Sequence, residues 1–334
     1  MREPHHRGRL RLAAVGAAAT LALAGCAGQG ADTARSGAGV TITHAFGTTK
    51  VGSSPKRVVA WGFGSADALL ALGIVPVAIP RQEYGGDSAG VLPWIKDALA
   101  AKHAAVPVVL PNNGTDVPIE QIASTRPDVI LAPYSGLTKE QYDALSRIAP
   151  TVAFPDKAWS TPWRDVVSIV AKAVGRESAG ERLVADADAL VERKAAQHPE
   201  LKGKTVAAGA DDGKQFAVYR PNDPRVEYLR DFGLVDAPSV NELANGNETF
   251  YYTVGFESMA RLTSDVLVSY APERATQDTF LGRPAVAAIP QVSGRHVATI
   301  TGRDLVTAVS PPTILSVGWG VDRVVDALSK AAKG

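Results

Sequence analysis

Nine residues combine types and positions suited to holding a ligand: Trp61, Phe63, Arg81, Tyr84, Tyr134, Tyr219, Arg220, Tyr251 and Arg303. Most of them follow a short apolar run that reads as a β-strand, and loops leaving the carboxyl ends of parallel strands face the ligand crevice of an open sheet. The rings offer flat apolar walls. Arginine adds a planar fork that pairs with oxyanions and stacks on rings. The competing role for each ring is core or rim packing, and for each arginine a surface ion pair. Tyr251, with Tyr252, either lines the crevice or packs beneath it.

This chemistry is recognition rather than bond-making. No glycine-rich phosphate loop, nucleophile elbow or HExxH helix is read in the chain, so no catalytic residue is assigned and an enzyme is not expected. His44, His103, His198 and His296 are scattered without ligand spacing, and His5 and His6 fall in a leader. Neither a metal site nor a cofactor is expected.

The elements that must position these groups are legible as alternating periods. Residues 57–60 (RVVA) form a β-branched run, followed by a loop from Trp61 to Ser65 and then by apolar residues at helical spacing over 66–72. Residues 75–79, 106–110, 129–132 and 151–154 read as further strands with helical stretches between several of them. Such alternation implies a mainly parallel α/β sheet.

From 162 to 198 the chain is charged, alanine-rich and without strand signals. Ser178 and Glu181 have the spacing of a capping box. Leu183, Val184, Ala187, Leu190, Val191 and Ala195 make one apolar stripe, and Pro199 stops it. About twenty-two residues at roughly 1.5 Å each give a rod of roughly 33 Å, a stiff connector between lobes. Beyond it, 205–208, 216–219, 266–269 and 297–301 read as strands and 312–332 as a closing helix, with Trp319 in the core.

The second half echoes the first. IEQIASTRPDVIL at 119–131 aligns, 137 residues later, with FESMARLTSDVLV at 256–268, so that Glu120 meets Glu257, Ala123 meets Ala260 and Asp128 meets Asp265. The match is either the generic helix-to-strand hinge of α/β proteins or a sign of two similar lobes. The connector favours the second.

At the N-terminus, Arg2, Arg7, Arg9 and Arg11 precede a small apolar run over 12–24 that is too short to span a bilayer. Residues 1–25 read as an export signal, through the Sec route because no adjacent arginine pair occurs. Cys26 is the only cysteine, so no intramolecular disulfide can form. Residues 26–40, mostly glycine and alanine, read as a flexible tether, with folding from about Thr41. Without the leader, 31 basic residues face 33 acidic ones, which supports neither a nucleic-acid partner nor a polybasic membrane patch.

The segment LAGC ending at Cys26 resembles a lipobox. The motifs THAFGTT at 43–49, PKRVVA at 55–60, DALLALGIVPVA at 67–78, PIEQIA at 118–123, RPDVI at 126–130 and YLRDFGL at 228–234 resemble the class III substrate-binding proteins of ABC importers. In particular they resemble the iron–siderophore-binding lipoproteins of actinobacteria. The resemblance implies two Rossmann-like α/β lobes, 41–175 and 200–334, joined by one long connecting helix over 176–199, with the ligand in the cleft between them. It implies a monomer that captures a ferric siderophore and hands it to an ABC permease on the outer face of the cytoplasmic membrane. Diacylglyceryl on Cys26 would anchor it there, and Glu120 and Glu257 would dock the permease. A siderophore already fills the coordination sphere of its iron, so the nine residues above need supply only walls and donors. Haem or a cobalamin-type corrinoid is the alternative cargo for the same fold.

Overall fold

Short apolar runs, buried on both faces except at the edge strand that begins with the exposed Val108, build the first of two main sheets. The computed structural model of the protein describes residues 39–248 and 250–334. The leader, Cys26 and nearly all of the tether lie outside the described residues.

In the first sheet β3 (Val58–Ala60), β4 (Ala78–Pro80), β5 (Val108–Leu110), β6 (Val129–Leu131) and β7 (Thr151–Val152) follow a hairpin of β1 (Val40–His44) and β2 (Gly47–Val51). Its order is β5-β4-β3-β6-β7, parallel throughout. The chain steps outward from β3 through β4 to β5, then returns to the other side of β3 with β6. That reversal is the switch point where such sheets open a crevice.

The second sheet contains β8 (Thr205–Asp211), β9 (Phe216–Tyr219), β10 (Val235–Asp236), β11 (Tyr251–Val254), β12 (Val266–Ala271) and β13 (Val297–Thr301). Its order is β11-β9-β8-β12-β13, with β10 added beside the start of β8. Strand β9 pairs antiparallel with both β8 and β11, and the remaining pairs, β10–β8, β8–β12 and β12–β13, are parallel. The hairpin β1–β2, β10 and β11 are additions to the elements read from sequence.

The connector is a helix over Glu177–Ala196. The expected capping box at its start does not form, because the helix begins at Glu177, before Ser178, with Arg176 as its N-cap residue and no side-chain cap. Arg176 instead donates to the Leu72 carbonyl, which pins the connector to the first half. Arg164, on the preceding helix Trp163–Ala173, reaches Asp188 of the connector at 2.6 Å and Asp231 of the second half at 2.8 Å. The closing helix Ile314–Lys333 packs along the connector, along β13 and onto the helices Ser65–Ala71 and Pro93–Ala101. One continuous apolar core consequently runs from Val58 and Leu69 through Val170 and Val191 to Val268 and Val321. Trp319, expected in the core, packs partly buried against it, with its ring 5.4 Å from Trp94.

Candidate functional site

The loops leaving β3 and β6 lie against each other. Trp61 and Gly62 donate backbone N–H groups to Leu131, at 2.9 and 3.0 Å, and Phe63 donates to the Tyr134 carbonyl at 2.9 Å. A Cβ on Gly62 would stand 2.8 Å from Ala132 Cα, so only glycine permits this approach. The result is a fixed platform at the switch point, carrying Trp61, Phe63 and Tyr134.

These three rings line a cavity of about 380 Å³ that also takes residues from the second half. Trp159 stands on the same side, its ring 5.7 Å from Tyr134. A Cβ on Gly136 would lie 2.2 Å from the Trp159 indole nitrogen, so the glycine makes room for that ring. Trp159 adopts φ 58°, a left-handed conformation that is strained for a bulky residue and that clusters at ligand sites. Arg225, Phe250 and Ser310 complete the opposite wall, and Gln82, Asn112 and Gln141 add amides.

Arg225 is the central cation of the cavity. It sits at the start of the helix Pro224–Arg230, where Asp223 is the N-cap. Its Nε donates to Asp223 Oδ1 at 2.7 Å and its Nη2 to Oδ2 at 2.6 Å, a bidentate pair to a carboxylate only 1% exposed. Nη1 reaches Ser310 Oγ at 3.3 Å, and the guanidinium lies 3.6 Å from the centre of the Tyr219 ring. Burial alone would lower the Arg225 pKa, but Asp223 outweighs it and holds the group above its ordinary value. Burial likewise raises the Tyr134 phenol, which stays protonated.

The other expected residues fall around this cavity rather than in it. Tyr219 is buried beneath Arg225, and Tyr251 packs against the core with its ring 5.0 Å from Phe250. Arg81 pairs with Glu83 and borders an adjoining groove. Tyr84 is 39% exposed, with Arg303 over its ring at 5.7 Å, and Arg303 pairs with Glu273 at 3.2 Å. Arg220 turns into the backbone, donating to the carbonyls of Asn245, Glu248 and Tyr251. Glu120 and Glu257 are exposed, near the starts of an α-helix (Ile119–Ser124) and a 3₁₀ helix (Phe256–Arg261).

Trp159, Arg225 and Phe250 are missing from the nine residues chosen by sequence. Trp159 follows an irregular segment and Arg225 opens a helix, so neither stands at the end of a strand. Residues 86–90 do spell G-x-S-x-G, yet they form no nucleophile elbow. They lie in the long loop between β4 and the helix Pro93–Ala101, and the exposed Ser88 uses its carbonyl to accept from Arg81. Among the described residues no group of three or more His, Cys, Asp or Glu side chains is placed to hold a metal ion.

Two α/β sheets whose strand ends converge on an aromatic cavity, joined by one braced helix, define the class III substrate-binding fold. The chain belongs to the periplasmic binding protein family, whose model matches residues 58–303. It is 31% identical over 199 residues to the probable siderophore-binding lipoprotein YfiY of Bacillus subtilis, a match covering 58% of this chain and 53% of that protein. The chain spans about half the length of the first curated relatives it matches. Its fold superposes on Streptococcus pneumoniae PiaA in complex with ferrichrome with a TM-score of 0.79 and 34% identity, over 88% of this chain and 99% of that one. A periplasmic solute-binding protein of Mycobacterium smegmatis gives a TM-score of 0.75 and 28% identity, again over 88% and 99%.

Proposed function

We propose that this protein is an extracytoplasmic binding lipoprotein that captures a ferric siderophore and delivers it to an ABC importer, without altering the chelate. The observation that carries the reading is the cavity where Trp61, Tyr134 and Trp159 of the first half face Phe250 and Arg225 of the second. Rings suit the organic shell of a chelate, and a polar minority of donors fixes its orientation. The likeness to ferrichrome-bound PiaA over nearly that whole chain supports the same cargo class. The two lobes of this reading run over 41–175 and 200–334, and the braced helix between them limits closure to a small motion. Cys26 carries the lipid that tethers the protein to the outer face of the membrane. Glu120 and Glu257, one per lobe and both exposed, meet the permease.

The experiment is a tryptophan-fluorescence titration with ferric siderophores, haem and cobalamin, followed by recovery of the ligand. Saturable binding of a siderophore returned unchanged supports the reading. Binding of none of them, or chemical alteration of the one bound, overturns it.

A further inference from the structure

We propose that the cleft selects an uncharged chelate, a ferric tris-hydroxamate, over polyanionic tris-catecholate or citrate complexes; this rests on the chelate-binding reading above. Three hydroxamates balance the charge of ferric iron, whereas three catecholates leave three negative charges in excess.

The arginines at the cleft are already occupied. Arg225, the one cation among the described residues lining the cavity, is held bidentate by the buried Asp223. At the rim Arg81 pairs with Glu83, and Arg303 with Glu273. Arg220 spends its fork on three backbone carbonyls. The other formal charge in the lining is Asp116, which is negative and exposed. A polyanion entering here gives up its hydration and meets no unmatched positive charge in return.

The donors left free are neutral. The side-chain polar groups of Trp61, Trp159, Tyr134 and Gln82 line the cavity, and no hydrogen bond is made by them within the described residues. Arg225 already spends N–H groups on Asp223 and Ser310 and stands against Tyr219, so what it has left to offer comes with its charge already balanced. Burial keeps the Tyr134 phenol protonated and able to donate. Such a set suits the carbonyl and N–O oxygens of a neutral complex, with the rings covering its methylene backbone.

The test is a fluorescence titration of the full-length protein with the gallium complexes of desferriferrichrome, enterobactin and citrate, which represent the three chelate classes without paramagnetic quenching. The tris-hydroxamate is expected to bind at least about 100-fold more tightly than the other two, with affinity changing less than about threefold at raised salt. Equal or tighter binding of enterobactin or citrate overturns the selectivity and leaves the chelate-binding reading standing. If none of the three binds, and haem and cobalamin do not bind either, that reading falls and this inference with it. In folded Asp223→Asn protein, the bared charge of Arg225 is expected to narrow the gap between classes about tenfold. An unchanged gap there overturns the charge-matching argument.

Discussion

Asp128 and Asp265 occupy matching places in the two sheets and do the same work there. Asp128 stands just before β6 and its Oδ2 accepts from the backbone N–H groups of Lys56 and Arg57, at 2.7 and 2.8 Å, just ahead of β3. Asp265 stands just before β12 and its Oδ2 accepts from the N–H and hydroxyl of Thr205, both at 2.8 Å, where β8 begins. In each sheet one carboxylate fixes the register of the two strands flanking the switch point. Those backbone hydrogen bonds hold both carboxyls below the usual range.

Asp128→Ala and Asp265→Ala are each expected to cost about 1 kcal/mol, a charged hydrogen-bond value discounted for the exposure of both sites. Urea unfolding measures the loss, and chelate affinity should stay within about threefold. Because both folded pKa values are lowered, the contribution is present above the unfolded carboxyl pKa of about 4 and fades as pH falls through the folded value. A cost that grows on acidification would contradict this account.

Arg225→Ala is expected to weaken chelate binding about tenfold or more, and to destabilise the protein by about 3–5 kcal/mol because Asp223 is left buried and unpaired. Arg303→Ala, whose partner Glu273 is well exposed, should leave affinity within about threefold. Calorimetric titration of folded variants checks both. The reverse ranking would move the anchoring cation from the cavity wall to the rim.

Charge reversal of Glu120 and Glu257 together is expected to stop uptake in cells. The purified double variant should bind its chelate and melt close to the parent, since an exposed helix-start carboxylate contributes only about 0.3–1 kcal/mol. Normal uptake at the parent expression level would remove both residues from the permease interface.

Asp67 is buried where the closing helix meets the helix Ser65–Ala71, accepting from Trp94 Nε1 at 2.7 Å and from Thr313 Oγ1. Burial pushes its carboxyl up to about 6, against the opposing pull of those two hydrogen bonds. The folded state then binds this proton more readily than the unfolded chain, so the contribution of Asp67 to stability is greatest below about pH 4 and falls as pH rises toward about 6. The full loss is about 3 kcal/mol at most. Asp67→Asn keeps an acceptor and removes the titration; it is expected to equal the parent near pH 4 and exceed it above pH 7, by urea midpoint. A variant weaker than the parent above pH 7 would show that the charged form is the favoured one.

Cys26→Ser is expected to abolish lipid labelling of the exported protein. A variant labelled and processed like the parent would end the lipoprotein reading.

The sheets were legible because parallel strands buried on both faces leave apolar runs that need no partner to recognise. Strands β9 and β13 match the sequence bounds throughout, whereas β7 is reduced to Thr151–Val152. The hairpin β1–β2 was hidden because two of its inward positions are polar. His44 and Thr49 are buried and bond each other at 2.8 Å, which erases the expected alternation. The site was half legible. Trp61, Phe63 and Tyr134 sit where strand ends must point, but Phe250 lines the cavity while its neighbour Tyr251 packs on the core. Adjacent residues of extended chain face opposite ways, and composition alone does not fix that parity.

The helix Ile314–Lys333 follows every other described element in sequence, yet it covers helices made more than two hundred residues before it, with Trp319 against Trp94 and Thr313 on Asp67. A chain emerging from a ribosome or a translocation pore therefore carries an open apolar groove until residues 314–333 arrive. The first half cannot mature while the second is still being made, as independent domains do. A product cut short before Ile314 would leave Trp94 uncovered by Trp319, so it would present apolar surface to proteases instead of persisting as a folded half.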